Sequence, residues 1–193
     1  MKILTAPNPF LSKTAKPVTS WTPNLQKQLE QMVVLLKNSH DPQGIGLAAT
    51  QVGIDKRFFI ILHKDQPQVF INPKITKTST KMLSDKYKHT KKRPLEGCLS
   101  IPKLWGFVDR PYSFTLSYSK VPTLDIVTQT FKGLHGVAIQ HERDHLDGIL
   151  FTDHILKQNG TIFKETKSGL TPLNSWNPLN LYILALQIFL AKF

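Results

Sequence analysis

The sequence predicts an α+β fold in which antiparallel or mixed β-sheets pack around a central helix. Short apolar runs rich in β-branched residues occur at 57–62 and 69–72, and apolar and polar residues alternate from Tyr112 to Tyr118. Both patterns are typical of strands. A later segment, 134–147, returns to helical spacing. Strands on either side of the central loops, followed by one late helix, are the pattern of an α+β domain.

Composition and charge set limits on the class of protein. The chain has 193 residues, 40% hydrophobic and 20% charged, which suits one compact domain and excludes collagen-like and wholly disordered chains. Its net charge of +12 makes a polyanion such as nucleic acid a candidate partner. Cys98 is the single cysteine, so no intramolecular disulfide can form. With no apolar run of signal-peptide length at the N-terminus, these features predict a cytoplasmic protein.

The first predicted helix begins after Thr22, a capping residue, with Pro23 at its first position, and ends near Asn38. One side of it is apolar at helical spacing and should face the core. That stripe consists of Leu25, Leu29, Met32, Val33 and Leu36. Farther along, Pro67 is expected to mark the turn between the strands at 57–62 and 69–72. A turn at 121–123 should join the 112–118 strand to a partner at 124–131.

The late helix carries the first chemical motif. It is predicted over 134–147, with Gly148 at the position of a C-terminal cap. His141 and His145 lie one turn apart on its buried face, in an HExxH sequence that can chelate one metal ion. Glu142 lies near such a metal without binding it. Taken alone, the pair could also be two core histidines, and a catalytic site requires a third ligand, for which Cys98 is the upstream candidate.

Three motifs occur in a fixed order: GIGLAATQ at 44–51, EGCLS at 96–100 and QHERDH at 140–145. In these motifs the sequence resembles the peptide deformylase family, and weaker agreement extends the resemblance over residues 1–156. The resemblance implies a fold of antiparallel or mixed sheets around a metal-binding helix. It also implies removal of the N-formyl group from the formylmethionine of newly made polypeptides, with release of formate.

The metal chemistry follows from the residues and from the resemblance together. Cys98, His141 and His145 would hold one divalent ion and leave a fourth position for water, whose pKa such an ion lowers toward about 7. Glu142 would accept the proton of that water and pass it to the leaving amine. The resemblance implies a preference for Fe(II), with Zn, Ni or Co accepted. A mixed sulfur and nitrogen donor set suits all of these metals.

The resemblance also assigns roles around the metal. The side-chain amide of Gln51 and the backbone N–H of Leu99 would stabilise the charge that develops on the formyl oxygen. The expected substrate-binding residues are Gly44, Ile45, Gly46, Gly97 and Val137.

Two further expectations concern the loop that carries Cys98. Glu96 and Arg110 are expected to form an ion pair that fixes this loop. Trp105, just past EGCLS, could narrow the mouth of the substrate groove.

Two segments differ from the rest of the chain. The predicted catalytic domain spans 1–156 and contains a Lys-rich insertion at 74–93, which has a net charge of +7. A solvated loop and a contact with ribosomal RNA are the two interpretations of this insertion. A linker and an apolar C-terminal tail follow over 157–193. Because the fifteen helical residues of 179–193 would span about 22 Å, a transmembrane helix is not expected. Packing on the domain surface is expected, with membrane-surface attachment or self-association as alternatives.

Two other functions compete with deformylation. The first is an HExxH endopeptidase, against which the intact EGCLS and Gly-rich motifs argue. The second is a non-catalytic ribosome- or RNA-binding protein with a vestigial metal site, which only the net charge supports. The presence of Cys98, Glu142 and Gln51 argues against a vestigial site.

Overall fold

The computed structural model describes residues 1–40, 43–90 and 93–173, and in this part of the chain nine strands form two sheets. The strands are β1 (Gly46–Ala48), β2 (Phe58–His63), β3 (Gln66–Thr78), β4 (Glu96–Cys98), β5 (Ile101–Gly106), β6 (Ser113–Ser119), β7 (Ile126–Lys132), β8 (Ile162–Thr166) and β9 (Gly169–Pro172). The α-helices are α1 (Pro23–Lys37), α2 (Leu83–Lys86), α3 (Gly133–His145) and α4 (Phe151–Lys157). Two short 3-10 helices cover Pro9–Ser12 and Ala49–Val52.

The two sheets are antiparallel throughout. The first has the strand order β1-β2-β3-β6-β7 and the second the order β4-β5-β8-β9. Helix α3 packs against β1, β2, β6 and β7 of the first sheet. This arrangement confirms the predicted α+β class, with antiparallel sheets around a central helix that carries the HExxH histidines.

Apolar residues on both faces of the first sheet form its core. Phe59, Phe70 and Leu116 belong to the cluster that also contains Ile139 of α3. The opposite face packs against α1, whose buried residues Leu25, Leu29, Met32 and Leu36 are four of the five predicted in its apolar stripe. A third cluster, which includes Cys98, lies between the second sheet and α4. Each fully buried large apolar side chain stabilises the fold by about 1.5–3 kcal/mol.

The strand pairs have the partners that the sequence predicts, but one turn lies elsewhere. Strand β3 begins at Gln66, so Pro67 lies inside it and does not form the turn. The reversal is made by Lys64 and Asp65, whose φ angles are +50° and +62°. Two consecutive residues with positive φ are the geometry of a tight hairpin turn, which usually contains Asn or Gly. Neither residue here is Asn or Gly, and Asp65, a type that tolerates positive φ, is only a weak signal for the turn.

The second sheet extends into the segment assigned to a linker. Strands β8 and β9 form a hairpin that pairs with β5, so residues as far as Pro172 contribute to this sheet. The predicted tail at 179–193 lies outside the described residues, and the division of the chain at 156 stays a prediction. In the Lys-rich segment, Lys74 and Lys77 belong to β3 and α2 follows. Within the described ranges, no helix is both long enough and apolar enough to cross a membrane.

A glycine just beyond α3 is required by its surroundings. Gly148 has a φ of +70°, and a Cβ atom at this position would lie 2.5 Å from the backbone oxygen of Ser12. We therefore expect Gly148→Ala to reduce the free energy of unfolding by clearly more than the roughly 1–2 kcal/mol that a left-handed alanine costs.

Gly133→Ala is the matched control, because Gly133 has a φ of +64° and no atom within 4 Å of the added Cβ. Urea unfolding of both variants separates the steric clash from the backbone cost. Equal losses in the two variants would contradict the prediction.

Candidate metal centre and active-site cleft

Three potential metal ligands meet where the two sheets approach each other. Cys98 ends β4, while His141 and His145 lie on α3, and all three are buried. Their ligand atoms lie within 4.8 Å of one another, and the Cys98 Sγ is 3.2 Å from the His145 Nε2. The structure thus contains the metal-binding site that the sequence predicts.

The protonation of Cys98 fits a metal ligand. Burial opposes ionisation of the thiol, but the charge and hydrogen bonds of His145 and His141 outweigh it and hold the thiol pKa well below its ordinary value. A thiolate with two imidazoles is a donor set that binds divalent first-row metals. Three protein ligands also leave a coordination position open, as a catalytic metal requires.

Glu96 and Arg110 orient one ligand. The His141 Nδ1 lies 2.9 Å from the Glu96 Oε2, a contact that leaves Nε2 as the coordinating atom. Arg110 donates to both oxygens of Glu96, from Nε at 2.6 Å and from Nη2 at 2.9 Å. Burial alone would raise the pKa of Glu96, but Arg110 and His141 lower it to about 2. The geometry agrees with the ion pair expected from the sequence.

Asp144 extends this network, and the sequence analysis missed it. Its Oδ2 accepts a hydrogen bond from the Arg110 Nη1 at 2.7 Å and lies 2.8 Å from the His154 Nε2. Burial opposes ionisation of Asp144, but His154 and Arg110 outweigh it and lower its pKa to about 2. One sequence signal for this contact was available: Asp144 lies on the buried face of the predicted helix, and a buried carboxylate requires a partner. Which partner it has depends on residues distant in the sequence.

Glu142 lies beside the ligand cluster with one unpartnered oxygen. The residue is buried, and among the described residues its Oε2 has no hydrogen-bond partner. Burial raises the pKa of Glu142 to about 7, against the opposing effect of His141 and His145. The side chain packs directly against β1, because a Cβ on Gly46 would lie 2.6 Å from the Glu142 Cγ. A buried carboxylate that has one unpartnered oxygen and a pKa near neutrality is typical of an acid–base group.

Gln51 is held with its amide group toward the ligand loop. Its Oε1 accepts a hydrogen bond from the Ala48 N–H at 2.8 Å. Its Nε2 donates to the Ser100 Oγ at 3.1 Å and to the Cys98 Sγ at 3.5 Å. These contacts fix which end of the amide faces Cys98.

A cleft of about 380 Å³ opens beside these groups. Strands β1 and β4, which border it, are edge strands of the first and second sheets. His145 is fully buried behind the cleft, whereas all the other predicted site residues line it. Those lining residues are Gly44, Ile45, Gly46, Gln51, Gly97, Cys98, Leu99, Val137, His141 and Glu142. Leu134, which also lines the cleft, was predicted only as part of the late helix.

Comparison with known proteins gives a consistent result. A family model described as "Polypeptide deformylase" matches residues 1–160. The chain is 39% identical over 162 residues to a peptide deformylase of Cellvibrio japonicus, a match covering 80% of this chain and 86% of the relative. It is 34% identical over 176 residues to a peptide deformylase of Rhizobium meliloti, covering 88% of this chain and 94% of the relative.

Solved structures agree with the sequence relatives. The crystal structure of peptide deformylase from Thermotoga maritima superposes with a TM-score of 0.69 at 33% identity, covering 79% of this chain and 95% of the other. A peptide deformylase from Synechococcus elongatus in complex with actinonin gives a TM-score of 0.68 at 34% identity, covering 80% and 78%. The chain therefore belongs to the polypeptide deformylase family.

Proposed function

We propose that the cleft binds the formylated end of a nascent chain and that Glu142, Gln51 and Leu99 carry out the hydrolysis. Removal of the N-formyl group by a metal-dependent hydrolase is the reaction of the family to which the chain belongs. The assignment of roles rests on one observation: among the described residues, the buried Oε2 of Glu142 has no hydrogen-bond partner, and Glu142 adjoins His141 of the ligand cluster.

Cys98, His141 and His145 are the proposed ligands, and Fe(II) is the proposed native ion, with Zn, Ni or Co as substitutes. The thiolate and the two imidazoles are compatible with each of these metals. When bound, such an ion supplies Lewis acidity, which makes water nucleophilic and polarises the formyl carbonyl. Glu96 supports the site by fixing the tautomer and the orientation of the His141 ring.

Glu142 is the proposed proton carrier. A carboxylate with a pKa of about 7 can accept a proton from the attacking water and return it to the amine that leaves. Burial against the β1 backbone limits the movement of this side chain. The carboxylate is therefore held in one place beside the ligand cluster.

Gln51 and Leu99 are the proposed donors to the formyl oxygen as the carbonyl becomes tetrahedral. The hydrogen bonds from Ala48 and to Ser100 hold the Gln51 amide in place. Its second N–H, which makes only a long 3.5 Å contact with the Cys98 Sγ, is the one proposed to donate to the formyl oxygen. Leu99 follows the ligand Cys98 directly and lines the same cleft.

The substrate backbone is proposed to lie between the two edge strands that border the cleft. Strands β1 and β4 each pair on one side only, and an extended peptide can add to such an edge. Gly44, Ile45, Gly46 and Gly97 are the proposed backbone-binding residues. Val137, on the wall formed by α3, is proposed to contact the methionine side chain.

The test is release of formate from formyl-Met-Ala-Ser by protein prepared anaerobically with Fe(II). We expect release that stops when a chelator removes the metal and returns when Fe(II) or Ni(II) is added. No cleavage of internal peptide bonds is expected. Internal cleavage without formate would support the endopeptidase alternative. A metal-loaded protein that releases no formate would contradict the proposal and favour the non-catalytic alternative.

For cellular partners, we propose contact with the ribosome through the Lys-rich segment and activity in the cytoplasm. Lys74, Lys77, Lys81, Lys86, Lys88 and Arg93 are all exposed. Such a surface can neutralise RNA phosphates, and binding of this kind weakens as salt concentration rises. Salt-sensitive co-sedimentation with ribosomes is expected. A variant with these six residues neutralised that binds equally well would contradict the contact.

The close approach of Gly46 to Glu142 leads to a prediction about the effect of a larger residue at position 46. Gly46→Ala would place a Cβ 2.6 Å from the Glu142 Cγ and Oε1, so the carboxylate must move. A displacement of about 1 Å costs roughly 100-fold in rate, and we expect a loss of that order in kcat. Gly133→Ala, where the added Cβ meets no atom within 4 Å, is the control for the assay. Unchanged kcat in Gly46→Ala would contradict the placement of Glu142.

A further inference from the structure

Trp105 lies on β5, an inner strand of the second sheet, in a row of residues that leads away from the ligands. Strand β5 pairs on one side with β4 and on the other with β8, and Trp105 lies opposite Gly97 and Phe163. Directly opposed residues of antiparallel strands project from the same face of the sheet. Trp105 itself lines the cleft. The row therefore begins next to Cys98, at Gly97, and continues through Trp105 to Phe163.

The indole ring of Trp105 lies against the backbone of Gly97. A Cβ at position 97 would lie 2.7 Å from the Cε3 and Cζ3 atoms of the ring. Because glycine has no side chain, the ring covers this part of β4, and a substrate side chain crossing Gly97 meets the indole. Any larger residue at position 97 would displace the ring from the cleft wall.

The other edge of the ring is fixed by β8. The Trp105 Nε1 donates a hydrogen bond to the Glu165 Oε2 at 2.9 Å. Glu165 lies two residues beyond Phe163 on the same strand, past the residues 1–160 that the family model matches. The β8–β9 hairpin thus holds Trp105 in its orientation at the cleft. The ring thus has one polar contact, at its Nε1 edge, and one backbone contact, at the opposite edge.

We propose that Trp105 is a specificity-determining residue, held in position by Glu165, for the part of the nascent chain that follows formylmethionine. The indole offers a flat apolar surface on which a large apolar or aromatic side chain can stack. This inference rests on the proposed function, since it places the reactive end of the peptide at the Cys98 cluster.

The side chain that reaches Trp105 belongs to either the second or the third residue of the peptide, and not to both. Successive side chains of an extended peptide project to opposite sides, so only one of two neighbours can face β5. Contact with an aromatic ring is expected to raise kcat/KM by roughly 3- to 10-fold over alanine at that position. The change should appear mainly in KM, because the contact is the same in the ground state and the transition state.

The test compares formate release from three amidated peptides: formyl-Met-Ala-Ala, formyl-Met-Phe-Ala and formyl-Met-Ala-Phe. The quantity measured is the ratio of kcat/KM for each phenylalanine peptide to that for the alanine peptide, within one protein. Any general loss of activity in a variant cancels in this ratio. Wild-type protein is expected to show a raised ratio for one of the two phenylalanine peptides.

The variants distinguish the effect of the Trp105 ring from the effect of the hydrogen bond that orients it. Trp105→Ala is expected to bring the ratio to about 1, and Trp105→Phe and Glu165→Ala to reduce it. Glu165→Gln keeps an acceptor oxygen for the indole N–H and should preserve the ratio. Trp21→Phe is the matched control, because the Trp21 Nε1 donates a similar 2.9 Å hydrogen bond to Gln26 of α1, and neither residue lines the cleft.

Three results would be decisive against the inference. A ratio near 1 for both phenylalanine peptides in wild-type protein would overturn it, and so would a raised ratio that survives Trp105→Ala. Either result would leave the proposed function intact, because formate would still be released. Release from none of the three peptides by the metal-loaded wild type would instead overturn the proposed function, and this inference with it.

Discussion

Replacement of Glu142 by glutamine is expected to reduce kcat for formate release by roughly 100- to 10,000-fold, the usual contribution of a positioned acid–base group. Glutamine has nearly the same shape as glutamate but cannot accept a proton at neutral pH. The ligands Cys98, His141 and His145 are unchanged, so metal content should stay at the wild-type level. Measurement of kcat together with bound metal distinguishes loss of the proton carrier from loss of the metal.

Glu142→Gln should not destabilise the protein. The Glu142 Oε2 is buried and has no hydrogen-bond partner among the described residues, so the carboxylate opposes folding when it is charged. We expect the free energy of unfolding to be unchanged or increased. Glu30→Gln, on the exposed side of α1, is the control for a change of charge alone. Activity within about 10-fold of wild type at full metal content would contradict the role of Glu142.

Arg110→Ala is expected to lower the free energy of unfolding by about 3–5 kcal/mol, the cost of removing one partner of a buried ion pair while the other stays buried. Arg110 is buried and donates to both oxygens of Glu96 and to Asp144 at 2.6 to 2.9 Å. Its removal leaves two buried carboxylates without their shared cation. Urea unfolding of the metal-loaded protein measures the loss.

Arg143→Ala is the matched control for this variant. Arg143 contacts Asp147 at 2.7 Å and Asp144 at 3.5 Å, but its side chain is 31% exposed, and we expect a loss of at most about 1 kcal/mol. Arg110→Lys should fall between the two, because lysine keeps the charge but not the forked geometry. Similar losses for Arg110→Ala and Arg143→Ala would contradict the prediction.

Local patterns predicted the regular elements, and contacts between distant residues decided the rest. The spacing of apolar residues was sufficient for α1 and for the alternating strand that became β6, because periodicity within one segment defines both. The hairpin turn at Lys64 and Asp65 carries no glycine or asparagine, and the β8–β9 hairpin lies in a polar segment that resembles a linker. Pairing with β5 stabilises this hairpin, and a single segment does not reveal such a partner.

The same distinction applies to the candidate site, where some contacts were predictable from the sequence and others were not. The cluster of Cys98 with the two histidines was accessible from the sequence, because the motifs contain the residue types that the chemistry requires. The Glu96–Arg110 pair was inferred from two opposite charges that flank the loop carrying Cys98. The contribution of Asp144 and His154 was not accessible from the sequence. Their contact joins α3 to α4, and its importance depends on Arg110 reaching Asp144 from outside both helices.

The position of Arg110 between Glu96 and Asp144 has a consequence for how metal occupancy and folding depend on each other. Glu96 and Cys98 belong to the second sheet, whereas Asp144 and the two histidines lie on the helix packed against the first. A bound ion and the Arg110 guanidinium would therefore both connect the second sheet to α3. Because an ion that binds only when these two parts are in contact stabilises that contact by mass action, the metal affinity depends on how stable the contact is. A substitution far from the cleft that weakens this contact should then be detected first as faster release of the metal.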